Sequence, residues 1–114
     1  MILLVDHDPE ILDRAREILN HERHVLAVSS AEQALVMVRR LDFSVVLVDL
    51  ELPDDPLYLI RELHATNPEL PIIGTTAAVH PEATWTGVVE VLRKPISQGW
   101  KAVIDRVRAS RGRG

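Results

Sequence analysis

The sequence predicts an α/β domain: a doubly wound, five-stranded parallel sheet of (βα)5 order with a shortened fourth helix. Two observations predict it. Short apolar runs alternate with amphipathic stretches along the chain, the pattern of strand–helix–strand crossovers that build a parallel sheet with helices on both faces. Most of those runs also lack an alternating polar face, as expected of strands covered on both sides.

Strands are read at 2–5, 25–28, 45–48, 72–73 and 88–92. Between them, Ile11, Leu12, Ala15, Ile18 and Leu19 form one helical stripe, and Ala31, Ala34, Leu35 and Val38 a second. Leu59, Ile60 and Leu63 suggest a third, and Trp100, Val103, Ile104 and Val107 form the last. Asp8 followed by Pro9 is an N-cap with proline at the first helical position. Ser30 to Gln33 has the form of a capping box, and Ser97 is placed to cap the final helix. The stretch 77–87 holds Pro81 and is too short for a full crossover, so an irregular turn or a short helix is expected there. No internal repeat or linker interrupts the chain. The expectation is a single domain over 1–114, with 110–114 as a frayed tail.

Bulk properties narrow the function. A length of 114 residues suits one domain with one core. Hydrophobic residues make up 46% and charged residues 26%, which excludes disorder by composition. A net charge of −4 argues against nucleic acid as the main partner, since phosphate binding needs clustered Lys and Arg. The absence of cysteine excludes disulfides and thiolate metal sites. Apolar runs are too short to span a bilayer, and the N-terminus meets Asp6 too soon for a signal peptide. A cytoplasmic location is the resulting expectation.

In such a sheet, ligands bind beyond the carboxyl ends of the strands. The first strand ends in Asp6, His7 and Asp8; the third in Asp49, Leu50 and Glu51; the fourth in Thr75 and Thr76; the fifth in Arg93, Lys94 and Pro95. Acids, a hydroxyl and a lysine therefore face one crevice. That set suits phosphoryl transfer. A carboxylate can accept a phosphoryl group as an acyl phosphate, clustered acids attract a divalent cation, and a lysine and a hydroxyl can stabilise phosphoryl oxygens.

In order and approximate spacing, Val5 to Pro9, Val48-Asp49 with Pro53 beyond, Thr76-Ala77 and Lys94-Pro95 resemble the motifs of receiver domains of two-component response regulators. The resemblance covers essentially the whole chain. It implies a flavodoxin-like fold, Asp49 as phosphoacceptor, and Mg2+ (or Mn2+) held by Asp6, Asp49 and the backbone carbonyl of Glu51, whose side chain need not matter. It implies Thr76 and Lys94 as phosphate contacts and a Lys94-Pro95 step like the family's cis-proline. It also implies a sensor histidine kinase or phosphotransfer protein as donor, a downstream output domain or protein, and a possible homodimer. Such a protein is a switch rather than an enzyme. The chain departs from the pattern at several points. His7 stands where the family usually has a second acid, which leaves its place in the metal set open. Asp54, Asp55 and Pro56 replace the usual glycine-containing loop, and Val91 stands where an aromatic residue is common. The 76–94 crossover is about one helical turn short.

Plainer roles suit other residues. Asp8 is expected only to cap its helix, and Asp54 and Asp55 to be solvated in a loop. His21, His24, His64 and His80 are expected on the surface. Arg106, Arg108, Arg111 and Arg113 suit a solvated helix C-terminus. Trp100 reads as a core anchor and Trp85 as a loop cover, with both also candidates for a partner contact, where Trp is favoured. Two other functions compete: a pseudo-receiver that binds partners without phosphorylation, and a haloacid-dehalogenase-like phosphatase using Asp6 and Asp8. The phosphatase lacks its acidic pair after Lys94 and room for a cap domain.

Overall fold

A computed structural model describes residues 1–19, 24–78 and 85–112. Its elements run β1 (Ile2–Val5), α1 (Pro9–Leu19), β2 (Val25–Val28), α2 (Ala31–Arg40), β3 (Val45–Asp49), α3 (Pro56–Thr66), β4 (Ile72–Thr76), β5 (Glu90–Arg93) and α4 (Gly99–Gly112). The five strands form one sheet in the order β2-β1-β3-β4-β5, and every pairing is parallel. The doubly wound architecture is as expected. The short fourth helix or turn falls largely on 79–84, outside the described residues, as do His21, His80 and Arg113.

The chain leaves β1 for β2 on one side and β3 on the other, so the order reverses between β1 and β3. Such a switch point opens a crevice at the carboxyl ends of those strands. Strand alternation then sorts side chains onto two faces. Ile2, Leu4, Val45, Leu47, Ile73 and Leu92 pack with Ala15 and Leu19 of α1 and with Trp100 and Ile104 of α4. Leu3, Val5, Val46, Val48 and Ile72 pack with Ala31 and Ala34 of α2 and with Leu59, Ile60 and Leu63 of α3. Each helix stripe read from the sequence thus faces the sheet.

Helix starts are fixed by side chains, partly as expected. Asp8 caps α1, its carboxylate accepting from the Glu10 N–H at 3.0 Å. Ser30 caps α2 by accepting from the Gln33 N–H at 3.2 Å. The return bond of the box goes one residue further back, from the Ser29 N–H to Gln33 Oε1 at 2.9 Å. At α4 the Ser97 backbone carbonyl, not its hydroxyl, accepts from the Trp100 N–H at 3.1 Å.

Asp54 and Asp55 are exposed in their loop, as expected, and each also serves a helix end. Asp54 accepts from the Ala31 N–H at 2.9 Å, so it serves the free donors of the α2 N-terminus from outside that helix. Asp55 caps α3, accepting from the Tyr58 N–H at 3.2 Å, with Pro56 opening the helix. Gly74 has a packing reason. A Cβ there would lie 2.9 Å from Leu50 Cδ1, so a larger residue on β4 would displace the leucine that follows Asp49.

Trp100 is 3% exposed and its indole N–H donates to the Arg93 carbonyl at 3.2 Å. Its part as a partner contact is therefore corrected: the ring belongs to the core and its polar atom is satisfied. Trp100→Ala should cost about 3–5 kcal/mol through the cavity it leaves. Urea unfolding of the variant against the wild type measures this, with a loss below about 1 kcal/mol contradicting the anchor role.

Candidate functional site

The carboxyl ends of β1, β3 and β5 bring Asp6, Asp49 and Lys94 together. Alternation dictates this. Asp6 follows the parity of Ile2 and Leu4, Asp49 that of Val45 and Leu47, and Lys94 that of Leu92, so all three side chains belong to the α1/α4 face. Both carboxylates are 0% exposed. The Lys94 ammonium lies 2.8 Å from Asp6 Oδ2 and 3.2 Å from Asp49 Oδ1. The Lys94-Pro95 peptide is cis.

Each carboxylate is divided between two environments. Asp6 Oδ1 accepts from the Asp8 N–H at 2.9 Å, and Asp49 Oδ1 from the Glu51 N–H at 2.9 Å. His7 is turned into the pocket: its Nδ1 lies 2.6 Å from Asp49 Oδ2 and 3.8 Å from Asp6 Oδ1. The imidazole itself is 45% exposed, so it forms the solvent-facing wall of the pocket. Asp6, His7 and Asp49 together offer three ligand atoms that all lie within 4.8 Å of one another.

Electrostatics follow from burial. Desolvation pushes the Asp6 carboxyl above its ordinary 3.8. Hydrogen bonds from Lys94 and the Asp8 N–H work against that rise, and the charge of Asp49 adds to it. Burial works against the Lys94 ammonium, but its bonds and charge pairing with Asp6 and Asp49 outweigh it, so Lys94 titrates above its ordinary 10.5.

Thr76 lies on the opposite parity and engages a different partner. Its hydroxyl donates to Glu51 Oε2 at 2.7 Å and accepts from the Ala78 N–H at 3.0 Å. Glu51 Oε1 accepts from the Ala77 N–H at 2.7 Å. The expectation that the Glu51 side chain need not matter is thereby corrected: it clamps the end of β3 to the end of β4. Nothing in the sequence marks this beyond an acid two residues after Asp49. Thr75, the Cα partner of Asp49, carries a fully buried hydroxyl with no hydrogen-bond partner among the described residues. Trp85 is half-buried against the α2/α3 core and lines a cleft of about 460 Å³ with Leu57, Arg61 and Thr86. His24 and His64 are exposed, as expected. Arg106 departs from a purely solvated role by pairing with Glu90 at 2.7 Å.

A doubly wound sheet with a lysine bridging two buried carboxylates at its switch point defines an acidic phosphoacceptor-type pocket. Comparison with known proteins gives the family. The response regulator receiver domain family matches residues 2–103, and the chain belongs to it. It is 29% identical over 125 residues to the two-component response regulator ARR12 of Arabidopsis thaliana, a match spanning 99% of this chain but 21% of that protein. The chain thus corresponds to about a fifth of the length of that curated relative. Among solved structures, it is similar to a CheY-like receiver domain protein from Methanospirillum hungatei, at 25% identity and a TM-score of 0.85 over 99% of this chain and 97% of that one. The receiver domain of NtrX from Brucella abortus shares the fold at 24% identity and a TM-score of 0.88, over 96% and 99% of the two chains. The response regulator TrrA from Thermotoga maritima, solved in complex with Mg2+-BeF, shares it at 23% identity and a TM-score of 0.83, over 93% and 96%. Receiver domains are signalling switches phosphorylated by a kinase, and Asp6 and Asp49 form the acidic cluster typical of their phosphoacceptor site.

Lys94→Met should leave two buried carboxylates without their shared counter-charge, at a cost of about 3–5 kcal/mol near neutral pH. The sign with pH follows from Asp6. Its folded pKa is already raised, so its contribution to folding is favourable below about 3.8 and declines as pH rises through the folded value. Without Lys94 that decline deepens. The penalty in the variant should therefore shrink on acidification toward pH 4, where Asp6 takes up a proton, as measured by denaturant unfolding at each pH. A penalty equal at both pH values would contradict the bridging role.

Proposed function

We propose that residues 1–114 act as a single receiver domain in which Asp49 accepts a phosphoryl group from a sensor histidine kinase or phosphotransfer protein. The observation that carries the assignment is the position of Asp49: fully buried, with one oxygen held by Lys94 and the Glu51 N–H and the other facing the half-open His7 wall. Asp49 Oδ2 has no fixed backbone donor among the described residues and is the oxygen suited to attack phosphorus. The new bond forms between that oxygen and phosphorus as the bond to the donor breaks, and Lys94 balances the added charge.

Family membership implies Mg2+, and the donor set fits a hard divalent ion in its two buried carboxylates. Asp6, Asp49 and the Glu51 backbone carbonyl would hold it. Bound there, the ion would neutralise negative charge on the phosphoryl oxygens. Thr76 reaches a phosphoryl group only by leaving Glu51, so phosphorylation would exchange the Thr76–Glu51 bond for a Thr76–phosphate one. The downstream output is then a change in surface contacts, with half-buried Trp85 and its cleft as the partner-facing part and a second copy of the chain as one possible partner. The expected location is the cytoplasm, where such donors act. A phosphorylation-independent role in partner binding is the second reading, favoured by His7 standing against Asp49.

Incubation with acetyl phosphate and Mg2+, followed by intact mass, tests the assignment. One phosphoryl adduct is expected in the wild type and none in Asp49→Asn. No adduct at saturating donor and Mg2+ would leave the phosphorylation-independent role. Glu51→Ala frees the Thr76 hydroxyl and should speed adduct formation severalfold, on the scale of one hydrogen bond of about 0.5–1.5 kcal/mol. A rate at or below the wild-type value would contradict the exchange.

A further inference from the structure

We infer that His7 turns this pocket into a site for a divalent transition ion, held by Asp6, His7 and Asp49 and selected over Mg2+. The inference deepens the phosphoacceptor reading and rests on it only for its consequence, not for the binding itself.

The pocket supplies one oxygen from each carboxylate toward the imidazole. Asp6 Oδ2 and Asp49 Oδ1 are taken by Lys94. Asp6 Oδ1 and Asp49 Oδ2 remain on the His7 side, 3.8 Å and 2.6 Å from Nδ1. Ligand atoms around a tetrahedral ion with bonds of about 2.0–2.2 Å stand roughly 3.3–3.6 Å apart. The two observed spacings bracket that range, so a small shift of a half-exposed ring would admit the ion. The ion would replace the His7–Asp49 hydrogen bond rather than any contact of the buried network.

Donor chemistry sets the preference. Imidazole suits Zn2+ and related ions, whereas Mg2+ demands oxygen donors and near-octahedral geometry. Charge points the same way. Asp6, Asp49 and Lys94 sum to one negative charge, which attracts a hard ion weakly, while an imidazole bond adds affinity that does not depend on charge alone. Three protein ligands with a fourth position open is the arrangement of reactive rather than closed zinc sites. Because the ion would sit on Asp49 Oδ2, ion loading and phosphoryl acceptance at that oxygen exclude one another.

The test titrates the intact chain separately with Zn2+, Co2+ and Mg2+ by calorimetry, for wild type, His7→Asp and Asp49→Asn. Visible absorption of the Co2+ form reports the ligand set. Wild type should bind Zn2+ at least about tenfold more tightly than Mg2+, with both Asp49→Asn and His7→Asp losing at least that factor in Zn2+ affinity, the scale on which even outer partners act in metal sites. The Co2+ spectrum should change in His7→Asp, and Mg2+ should bind that variant more tightly. Zn2+ affinity unchanged in His7→Asp overturns the inference and assigns binding to surface histidines such as His24 and His64. Equal Zn2+ and Mg2+ affinities in the wild type also overturn it. The acetyl phosphate adduct in Mg2+ alone is scored separately: its absence counts against the phosphoacceptor reading while leaving the selectivity result standing. Zn2+ should suppress that adduct in the wild type and spare it in His7→Asp.

Discussion

The carboxyl end of this sheet depends on one ammonium group. Asp6 and Asp49 are wholly buried on adjacent strands, and two such charges out of water cost several kcal/mol each unless paired. Lys94 meets both. It does so from β5, with β4 lying between that strand and β3. Only a long unbranched side chain carrying a compact charge spans that gap. An Arg fork would bring a planar group where a point charge must lie between two oxygens. The residue of β4 paired with Asp49 is Thr75, whose hydroxyl finds no partner among the described residues. The unmet hydroxyl is a cost that the position carries.

A second polar link runs beside the first but on the opposite face of the sheet. The loop after Asp49 is tied to the Asp49 carboxylate through the Glu51 N–H, to β4 through the Glu51 side chain, and to α2 through Asp54. Any change in charge or volume on Asp49 therefore acts on the Glu51 backbone first. The Glu51 side chain holds Thr76 and Ala77, at the point where the chain leaves β4. This is a contiguous set of bonds from Asp49 to the end of β4, and the proposed turn of Thr76 from Glu51 to the pocket would exchange one of them. Such an exchange is what a two-state switch requires. Leu50, between the two links, packs closely over Gly74.

The sequence made the frame legible because strand ends and helix stripes are local properties. Asp6, Asp49 and Lys94 could be assigned to one crevice by counting positions along apolar runs, and the distances agree. What lay beyond reach were contacts between loops. Asp54 binding the Ala31 N–H joins residues 23 apart in sequence, and no local pattern distinguishes that from a solvated acid. An acid near a helix start does invite the question, since the free N–H groups there attract negative charge. Glu51 holding Thr76 is of the same kind. Trp100 shows a different limit. Its helical stripe marked it as core, while tryptophan's frequency at interfaces suggested a surface role, and only the packing of Ile104 and Leu92 around it decides for the core. His7 was ambiguous because a side chain following a strand can turn either way, and the direction is set by its 2.6 Å contact with Asp49.

His7 also changes the charge that the pocket must accommodate. With a second acid after β1, as receiver domains usually have, two or more negative charges would remain beside one lysine, and repulsion would make a bound cation nearly a structural requirement. With His7 there, one negative charge remains, and the imidazole fills the open side as a hydrogen-bonding wall. The pocket is then tolerable without a metal, since every carboxylate oxygen already has a donor or a charge beside it. The same feature would weaken its hold on a hard ion, because the attraction that a hard ion answers is partly removed. Stability of the unloaded state and affinity for Mg2+ thus move in opposite directions at this position. An acid at position 7 favours the loaded, phosphorylatable state at the expense of the empty one. On the inference above, a histidine there would favour the metal-free pocket and move its preference toward softer ions.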